Sequence, residues 1–159
     1  MKYLILILLI LSISTSFSQE ITEDQLEEGT DLIMYLKGDK KPYSGTCISY
    51  YEDGQKGKEG MYKNGKMVGL WVWYYNDKQK KRETFYQNGK KNGKCVYWYK
   101  NGQKKSEATY KDDMLIGKYT WWYENGKKKK YTVYDEKGIF VGTIKWDENN
   151  NIVENSFKK

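Results

Sequence analysis

Residues 69–93 read GLWVWYYNDKQKKRETFYQNGKKNG, and the glycine that ends this stretch begins the next copy of the pattern. Equivalent glycines recur at intervals of 24 or 25 residues, at Gly45, Gly69, Gly93, Gly117 and Gly142. A fixed period of this size is typical of repeat proteins, in which each unit packs mainly against its neighbours. The sequence therefore predicts a linear array of similar units.

Each unit contains two stretches that predict β-strands, and the first of them is rich in aromatic and β-branched residues. The first strands are predicted at residues 46–51, 70–75, 95–99 and 119–123, and the second at residues 56–62, 80–86, 104–110 and 128–134. Asp-Gly or Asn-Gly dipeptides follow most of these stretches, and such dipeptides favour two-residue type I′ hairpin turns. We expect an all-β, single-layer meander of antiparallel hairpins, with four full units between degenerate caps.

The turns also predict a register. If Asp53 and Gly54 are the two central residues of such a turn, Glu52 faces Gln55, and the pairing of the whole hairpin follows. Each repeating glycine then faces a tyrosine: Gly45 with Tyr62, Gly69 with Tyr86, Gly93 with Tyr110 and Gly117 with Tyr134. A glycine opposite an aromatic residue leaves room for the ring to lie over the backbone. We predict that these eight residues are structural.

The same register puts large residues opposite small ones, which predicts the better-packed face of the sheet: Trp71 with Thr84, Cys95 with Ala108, and Tyr119 with Thr132. The aromatic residues of the first strands form a candidate binding face: Trp71, Trp73, Tyr75, Tyr97, Tyr99, Tyr119, Trp121 and Tyr123. Basic residues are predicted to pair with five of these rings through cation–π contacts: Arg82 with Trp73, Lys80 with Tyr75, Lys104 with Tyr99, Lys130 with Trp121, and Lys128 with Tyr123. The opposite face carries valine–glutamate pairs and is expected to be the wetter one.

The chain is basic, with 28 lysine and arginine residues against 21 acidic residues and a net charge of +7. One column of lysines is a candidate site for anions such as lipid head groups: Lys56, Lys80, Lys104 and Lys128. The alternative is a charged row that protects a flat sheet from aggregation. Glu59, Glu83 and Glu107 recur at another repeat position, and we interpret them as a solvated column neutralised by neighbouring lysines.

Composition argues against an enzyme. The chain has no histidine and only two cysteines, Cys47 and Cys95, at equivalent positions of units one and three. Four strand spacings separate them by roughly 19 Å, which is too far for a disulfide or a shared metal ion. We predict no catalytic residue, no metal site, no cofactor and no disulfide.

The chain is divided as follows. Residues 1–18 have the basic start, the apolar run and the small residues of a secretory signal peptide, which predicts an exported protein, periplasmic or secreted. Residues 19–31 are expected to form a flexible acidic leader or a short helix, and residues 32–44 a cap strand laid on the first unit. Repeats follow over residues 45–154, with a possible last strand at residues 143–146, and residues 155–159 are expected to be a frayed tail.

The recurring pattern resembles the MORN repeat variant of bacterial proteins over about residues 32–154. The closest copies are residues 69–71, 98–102, 122–126 and 86–90, and residues 41–45 are similar to the usual entry into a first unit. Many such proteins are grouped as antitoxin-like, which implies protein binding without catalysis. In other MORN proteins the repeats are linked to membrane association, lipid head groups and scaffolding.

Two functions therefore remain open at this stage. The first is a non-enzymatic scaffold or binding module for another protein, with a homo-oligomer as one form of it. The second is an envelope array that binds anionic lipid head groups or glycans. Export argues against nucleic acid as the partner.

Overall fold

The computed structural model describes residues 21–157, and the predicted signal peptide lies outside this range. Within it the chain forms thirteen β-strands and one 3-10 turn at Glu23–Gln25. The strands are β1 Ile21–Thr22, β2 Leu26–Glu28, β3 Met34–Leu36, β4 Gly45–Tyr50, β5 Lys56–Lys63, β6 Lys66–Tyr74, β7 Lys80–Gln87, β8 Lys90–Trp98, β9 Lys104–Lys111, β10 Met114–Trp122, β11 Lys128–Tyr134, β12 Phe140–Trp146 and β13 Ile152–Asn155.

Strands β4 to β13 form one sheet in which each strand pairs with the next one along the chain, always antiparallel. Strand β1 pairs in parallel with β4 and completes an eleven-stranded sheet. The predicted all-β repeat meander is confirmed. Because every pairing from β4 to β13 is between sequence neighbours, each unit is held mainly by the unit before it and the unit after it.

The turns within the units differ from the prediction. Tyr51 N–H donates to the Gln55 carbonyl oxygen at 2.8 Å and Gly54 N–H donates to the Tyr51 carbonyl oxygen at 2.9 Å, so Tyr51, and not Glu52, faces Gln55. Only Gly54 of the loop has a positive φ, of 77°. This is a three-residue loop, a type I turn with a glycine bulge. Two-residue turns with positive φ at both positions occur instead between units, as at Asn64 and Gly65.

All four predicted glycine–tyrosine pairs are present in the sheet, but the reason for the glycine is different. Gly69 has a φ of 68° and Gly117 a φ of 63°, and a Cβ atom at either position would meet no other atom within 4 Å. At these two positions the glycine is required by its backbone conformation and not by a ring above it. The positive φ belongs to a bulge between units, where residues 69–71 together face Gly60. At Gly45, by contrast, a Cβ atom would lie 2.5 Å from the Tyr43 hydroxyl oxygen.

The two faces of the sheet are unequal. We call inner the face that carries Cys47, Trp71 and Thr84, all of which are at most 1% exposed. The outer face carries Met61, Leu70 and Phe85, which are about half exposed. The better packing of the glycine–tyrosine face is confirmed. The outer face is not bare throughout, because Ile48, Val72 and Val96 are buried there.

The N-terminal segment, residues 21–36, covers part of the inner face, so the prediction of a flexible leader over residues 19–31 is wrong where the structure describes it. Leu26 is buried in one cluster with Cys47, Tyr62 and Trp71. Strands β2 and β3 pair with each other in a separate two-stranded sheet. Met34 N–H donates to the Gly65 carbonyl oxygen at 3.0 Å. Residues 21–36 therefore lie over the first units, with β3 paired to β2 and not to the main sheet.

The C-terminal end is also better ordered than its sequence indicates. The last predicted strand exists as β12, and one further strand, β13, follows it. Phe157, which is expected to be frayed, packs on Tyr131 with ring centroids 6.2 Å apart. Ser156 N–H donates to the Thr143 carbonyl oxygen at 2.9 Å. The sequence does not predict β13, because the loop before it is polar and the strand lacks the aromatic pair that marks the earlier units.

Candidate binding surface

One row of the inner face crosses ten strands of the sheet, and we call it the aromatic–cation row. Each member is the direct cross-strand partner of the next, so all of them lie on one face. The row consists of Ser49, Lys58, Trp73, Arg82, Tyr97, Ser106, Trp121, Lys130, Lys145 and Glu154. Basic and aromatic side chains alternate from Lys58 to Tyr97, and Trp121 and Lys130 follow after Ser106.

Not all of the predicted aromatic binding face is available. Trp71 is fully buried, its ring edge-on to Tyr62 at 4.9 Å between centroids, so it is a core residue and cannot contact a ligand. The rings of Trp73, Tyr97, Tyr119 and Trp121 lie on the inner face and are partly exposed. These four residues are the part of the predicted face that the structure leaves open.

The remaining members of the predicted face have a structural role. In each unit the tyrosine that directly follows the first strand donates its hydroxyl hydrogen to a carbonyl oxygen of the next unit, at 2.7 to 2.8 Å. The pairs are Tyr51 with Tyr74, Tyr75 with Trp98, Tyr99 with Trp122 and Tyr123 with Trp146. We call them the tyrosine clasps. Burial raises the pKa of Tyr75 and of Tyr99, which keeps both hydroxyls protonated as donors.

Replacing Tyr99 with phenylalanine is expected to lower the free energy of unfolding by about 1 kcal/mol, because the Trp122 carbonyl oxygen loses its donor. Urea unfolding followed by circular dichroism measures the change. Tyr97→Phe is the matched control, since the Tyr97 hydroxyl makes no hydrogen bond within residues 21–157, and it is expected to change little. Equal losses in the two variants would contradict the clasp.

The bulge in each hairpin also alters the cation–π pairs. Trp73 with Arg82 and Trp121 with Lys130 are confirmed. The predicted pairs of Tyr75, Tyr99 and Tyr123 are wrong by one residue, because the bulge shifts the register next to the turn. Their actual partners are Lys81, Lys105 and Lys129, at 5.2 to 5.6 Å from the ring centroids.

The lysine column is engaged in ion pairs with the glutamate column on the outer face. Lys56 contacts Glu59 at 2.6 Å, and the next two units repeat the arrangement, with Lys80 at 2.5 Å from Glu83 and Lys104 at 2.6 Å from Glu107. In the fourth unit Tyr131 stands where the glutamate would be, so Lys128 lacks this partner. The interpretation of the glutamates as a neutralised column is confirmed. Three of the four candidate anion-binding lysines are already neutralised.

These ion pairs predict a pH dependence of stability. The hydrogen bond from Lys56 lowers the pKa of Glu59, and that from Lys104 lowers the pKa of Glu107, below the ordinary value of 4.5. The unfolded chain therefore binds more protons than the folded chain when the pH is below about 4.5. We expect the free energy of unfolding to be nearly constant between pH 5 and pH 7 and to fall as the pH drops from 4.5, by up to about 1 kcal/mol for the two groups.

Urea titrations between pH 3 and 6 measure this loss. The double variant Glu59→Gln with Glu107→Gln is the control, and it is expected to flatten the slope between pH 3 and 4.5. An unchanged slope in that variant would assign the acid sensitivity to other carboxyl groups.

Arg82 is the arginine of the aromatic–cation row, and the chain has no other. Its guanidinium carbon lies 3.3 Å from the centroid of the Trp73 ring and 5.8 Å from that of Tyr97. Its Nε atom is buried and has no hydrogen-bond partner among the described residues, 21–157. A shallow cavity of about 170 Å³ opens beside it, lined by Tyr51, Gly57, Trp73, Tyr74, Lys81, Arg82 and Tyr97. The pattern of aromatic residues does not identify Arg82 as a site, although its uniqueness in the sequence could have done so.

The residues that the structure describes offer little for catalysis. Over residues 21–157 no group of three or more acidic or cysteine side chains is arranged to hold a metal ion. Cys47 and Cys95 are free and buried, and burial raises the pKa of the Cys47 thiol to about 11, which makes it a poor nucleophile. In the same range no helix has the length and apolar character needed to cross a membrane.

Four consecutive segments of the chain match a family model described as the MORN repeat variant, at residues 43–64, 67–90, 91–112 and 115–136. Together they cover more than half of the chain, and each contains one hairpin of the sheet. No curated protein matches the chain significantly. An all-β array of such repeats is typical of non-enzymatic proteins and suggests a repeat-based binding or scaffold protein.

Proposed function

We propose that this chain, which belongs to the MORN repeat variant family, binds another protein through the exposed part of its inner face. The observation that supports this most directly is the composition of the aromatic–cation row. Trp73, Arg82, Tyr97 and Trp121 are the residue types that dominate the binding energy of protein interfaces. Trp73, Arg82 and Tyr97 are adjacent on the sheet, and Trp121 follows in the same row after Ser106.

The N-terminal segment covers only part of the inner face, and the part that it leaves open contains rings of the proposed binding surface. The N-terminal segment packs over the first units, where Cys47, Tyr62, Trp71 and Tyr86 are buried. In the third and fourth units Tyr97, Tyr119 and Trp121 are only partly buried. A second protein that continued the cover over these rings would bury apolar surface in the way the chain's own segment does.

The alternative ligands are anionic lipid head groups or glycans. Three lysines of the candidate anion-binding column are paired with glutamates, which argues against a lipid site there. Stacking of a neutral sugar is disfavoured at Trp73, because the Arg82 guanidinium occupies a face of that ring. The rings of Tyr119 and Trp121 stack on each other at 3.4 Å between centroids, which also reduces the free ring surface.

We further propose that the protein is exported and that its partner is a protein of the envelope or the exterior. The signal-peptide pattern of residues 1–18 supports export. An antitoxin-like role would instead require a toxin as partner, in the compartment where the chain resides. Fractionation of the cells, with the mass of the processed chain, tests the export: an uncleaved chain in the cytoplasm would contradict it.

A pull-down from the envelope fraction of its own cells, using residues 19–159 as bait, tests the binding. Washes at low and at high salt separate the alternatives, because contacts of exposed lysines with lipid are screened by salt whereas a partly buried aromatic contact is not. A protein retained at high salt is expected. Recovery of lipid or polysaccharide alone, released by salt, would replace the proposal by the ligand-binding alternative.

A further inference from the structure

An ion pair within the chain shows how a carboxylate can bind a cation of the aromatic–cation row. Lys58 is the basic member of the row in the first unit, and Arg82 occupies the equivalent position in the second, 24 residues later. The Glu23 carboxylate forms an ion pair with the Lys58 ammonium group. Glu23 belongs to the N-terminal segment, which lies along this face, so an acidic segment already covers the first cation of the row.

Arg82 occupies the position equivalent to Lys58, but it has no acidic partner in the part of the chain that the structure describes. Over residues 21–157 no carboxylate lies within ion-pair distance of its guanidinium group, and its Nε atom has no hydrogen-bond partner. Lys58 and Lys145, by contrast, are paired with Glu23 and Glu154. The row is thus neutralised near both of its ends and retains unpaired positive charge in the middle.

The choice of arginine indicates the chemistry of the ligand. The chain has 28 basic side chains, and Arg82 is the only arginine among them. A guanidinium stacked on an aromatic ring keeps its edge free and presents a planar fork of N–H groups, which matches the two oxygens of a carboxylate. The cavity of about 170 Å³ beside it has the size of a single side chain, and Lys81 at its wall adds a second positive charge.

We propose that Arg82 binds a carboxylate of an extended acidic segment of the partner protein, at the cavity formed with Tyr51, Trp73 and Tyr97. This inference rests on the proposed protein-binding function and specifies the partner. Lys130, four strands further along the row, lacks an ion-pair partner within residues 21–157 and lies roughly 19 Å away at the usual strand spacing. An extended chain covers that distance in about six residues, so two acidic residues with this separation suit the row.

The unique arginine provides a direct test. The Nε–H group of Arg82 gives the single arginine side-chain signal in a nitrogen–proton correlation spectrum of the chain as its own cells process it. The probe is a ten-residue peptide of serine and threonine with glutamates at positions two and eight and an amidated end. We expect the glutamate peptide to shift this signal and a peptide with glutamines at both positions to leave it unchanged.

Two variants make the test specific. Arg82→Lys keeps the charge and removes the fork, and it is expected to weaken binding of the glutamate peptide about tenfold in isothermal titration calorimetry, which does not depend on the arginine signal. Lys111→Gln removes a charge from an exposed residue of the outer face and is expected to leave the affinity within about twofold. Equal affinities for the wild type and Arg82→Lys would overturn the proposal, as would a shift of the Arg82 signal by phosphatidylglycerol vesicles and not by the peptide.

The pull-down separates this inference from the proposed function. If the wild type retains a protein and Arg82→Lys loses it, both the proposed function and the Arg82 inference are supported. If both chains retain the same protein equally, the partner binds elsewhere, and the Arg82 inference fails while the proposed function stands. If the wild type retains no protein, the proposed function fails, and with it the identification of the ligand as a partner's segment.

Discussion

Replacing Trp71 with alanine is expected to lower the free energy of unfolding by about 3 to 5 kcal/mol, the loss that removal of a buried tryptophan ring usually causes. Trp71 is 0% exposed and its ring lies against Tyr62 and Trp73, with centroids 4.9 and 5.9 Å apart. Its Nε1–H also donates to the Met61 carbonyl oxygen at 3.2 Å. The variant therefore loses apolar contacts and a hydrogen bond at the centre of the cluster that joins the first two units.

Guanidinium chloride unfolding, followed by circular dichroism, measures this loss. Leu70→Ala is the matched control, because Leu70 precedes Trp71 in β6 but points to the outer face and is 50% exposed. Its expected loss is below about 1 kcal/mol. A similarly small loss for Trp71→Ala would mean that the sheet is stabilised by its backbone ladder and turns, with no contribution from an inner core.

The repeat pattern predicts the architecture well because period and register are properties of the sequence itself. A 24-residue spacing of glycines, with two strand-like stretches in each interval, leaves few alternatives to an antiparallel meander. The pairing of Gly69 with Tyr86 and of Trp71 with Thr84 follows from counting residues across a turn, and both pairs are present. Counting succeeds here because each strand pairs with its sequence neighbour.

Counting fails close to the turns, and the physical reason is that two turn types share the same dipeptide. A type I′ turn and a type I turn with a glycine bulge both require a glycine with positive φ. They differ in the residue before it: Asn64 has a φ of 49°, whereas Asp53 is not in the left-handed region. The one-residue shift that results changes the partners of Tyr75, Tyr99 and Tyr123, and it frees their hydroxyls to bind the next unit.

The candidate site is less predictable than the fold, because exposure depends on what covers each ring. Trp71 and Trp73 look alike in the sequence, two residues apart in one strand. Trp71 is buried because it lies over Gly60 and beside a cluster that includes Leu26. Apolar residues at Leu26, Met34 and Leu36 are the signal for this cover, but their placement on the inner face is a tertiary contact that repeat periodicity does not encode.

The last determinant of the packing is size complementarity between residues of neighbouring units. The register predicted from the sequence does not reveal it, because that register pairs residues within one unit. The bulge places an inner residue of one unit's second strand opposite an inner residue of the next unit's first strand. The inner residues that meet there are Gly60 with Trp71, Thr84 with Cys95, Ala108 with Tyr119, and Thr132 with Thr143. The smallest residues face the largest rings, and the two threonines hydrogen-bond their smaller partners at 3.2 and 3.0 Å.

This complementarity predicts a strong coupling between positions 60 and 71. A Cβ atom on Gly60 would lie 2.1 Å from the Trp71 ring, although the Gly60 backbone has no positive φ that excludes other residues. Gly60→Thr alone is therefore expected to cost about 3 kcal/mol through overpacking, and Trp71→Cys alone about as much through the cavity it leaves. Combined, the two changes recreate the pair that Thr84 and Cys95 form one unit later.

We expect the double variant to be more stable than the sum of the single losses predicts, by about 2 kcal/mol. Guanidinium chloride unfolding of the four chains completes the cycle, and Gly60→Thr combined with Leu70→Ala, on opposite faces, is the control pair expected to be additive. Additivity of Gly60→Thr with Trp71→Cys to within about 0.5 kcal/mol would show that the ring and the glycine are accommodated independently. A measured coupling would instead mean that each unit's small residue is matched to its neighbour's large one, so units of this array cannot be exchanged without their partners.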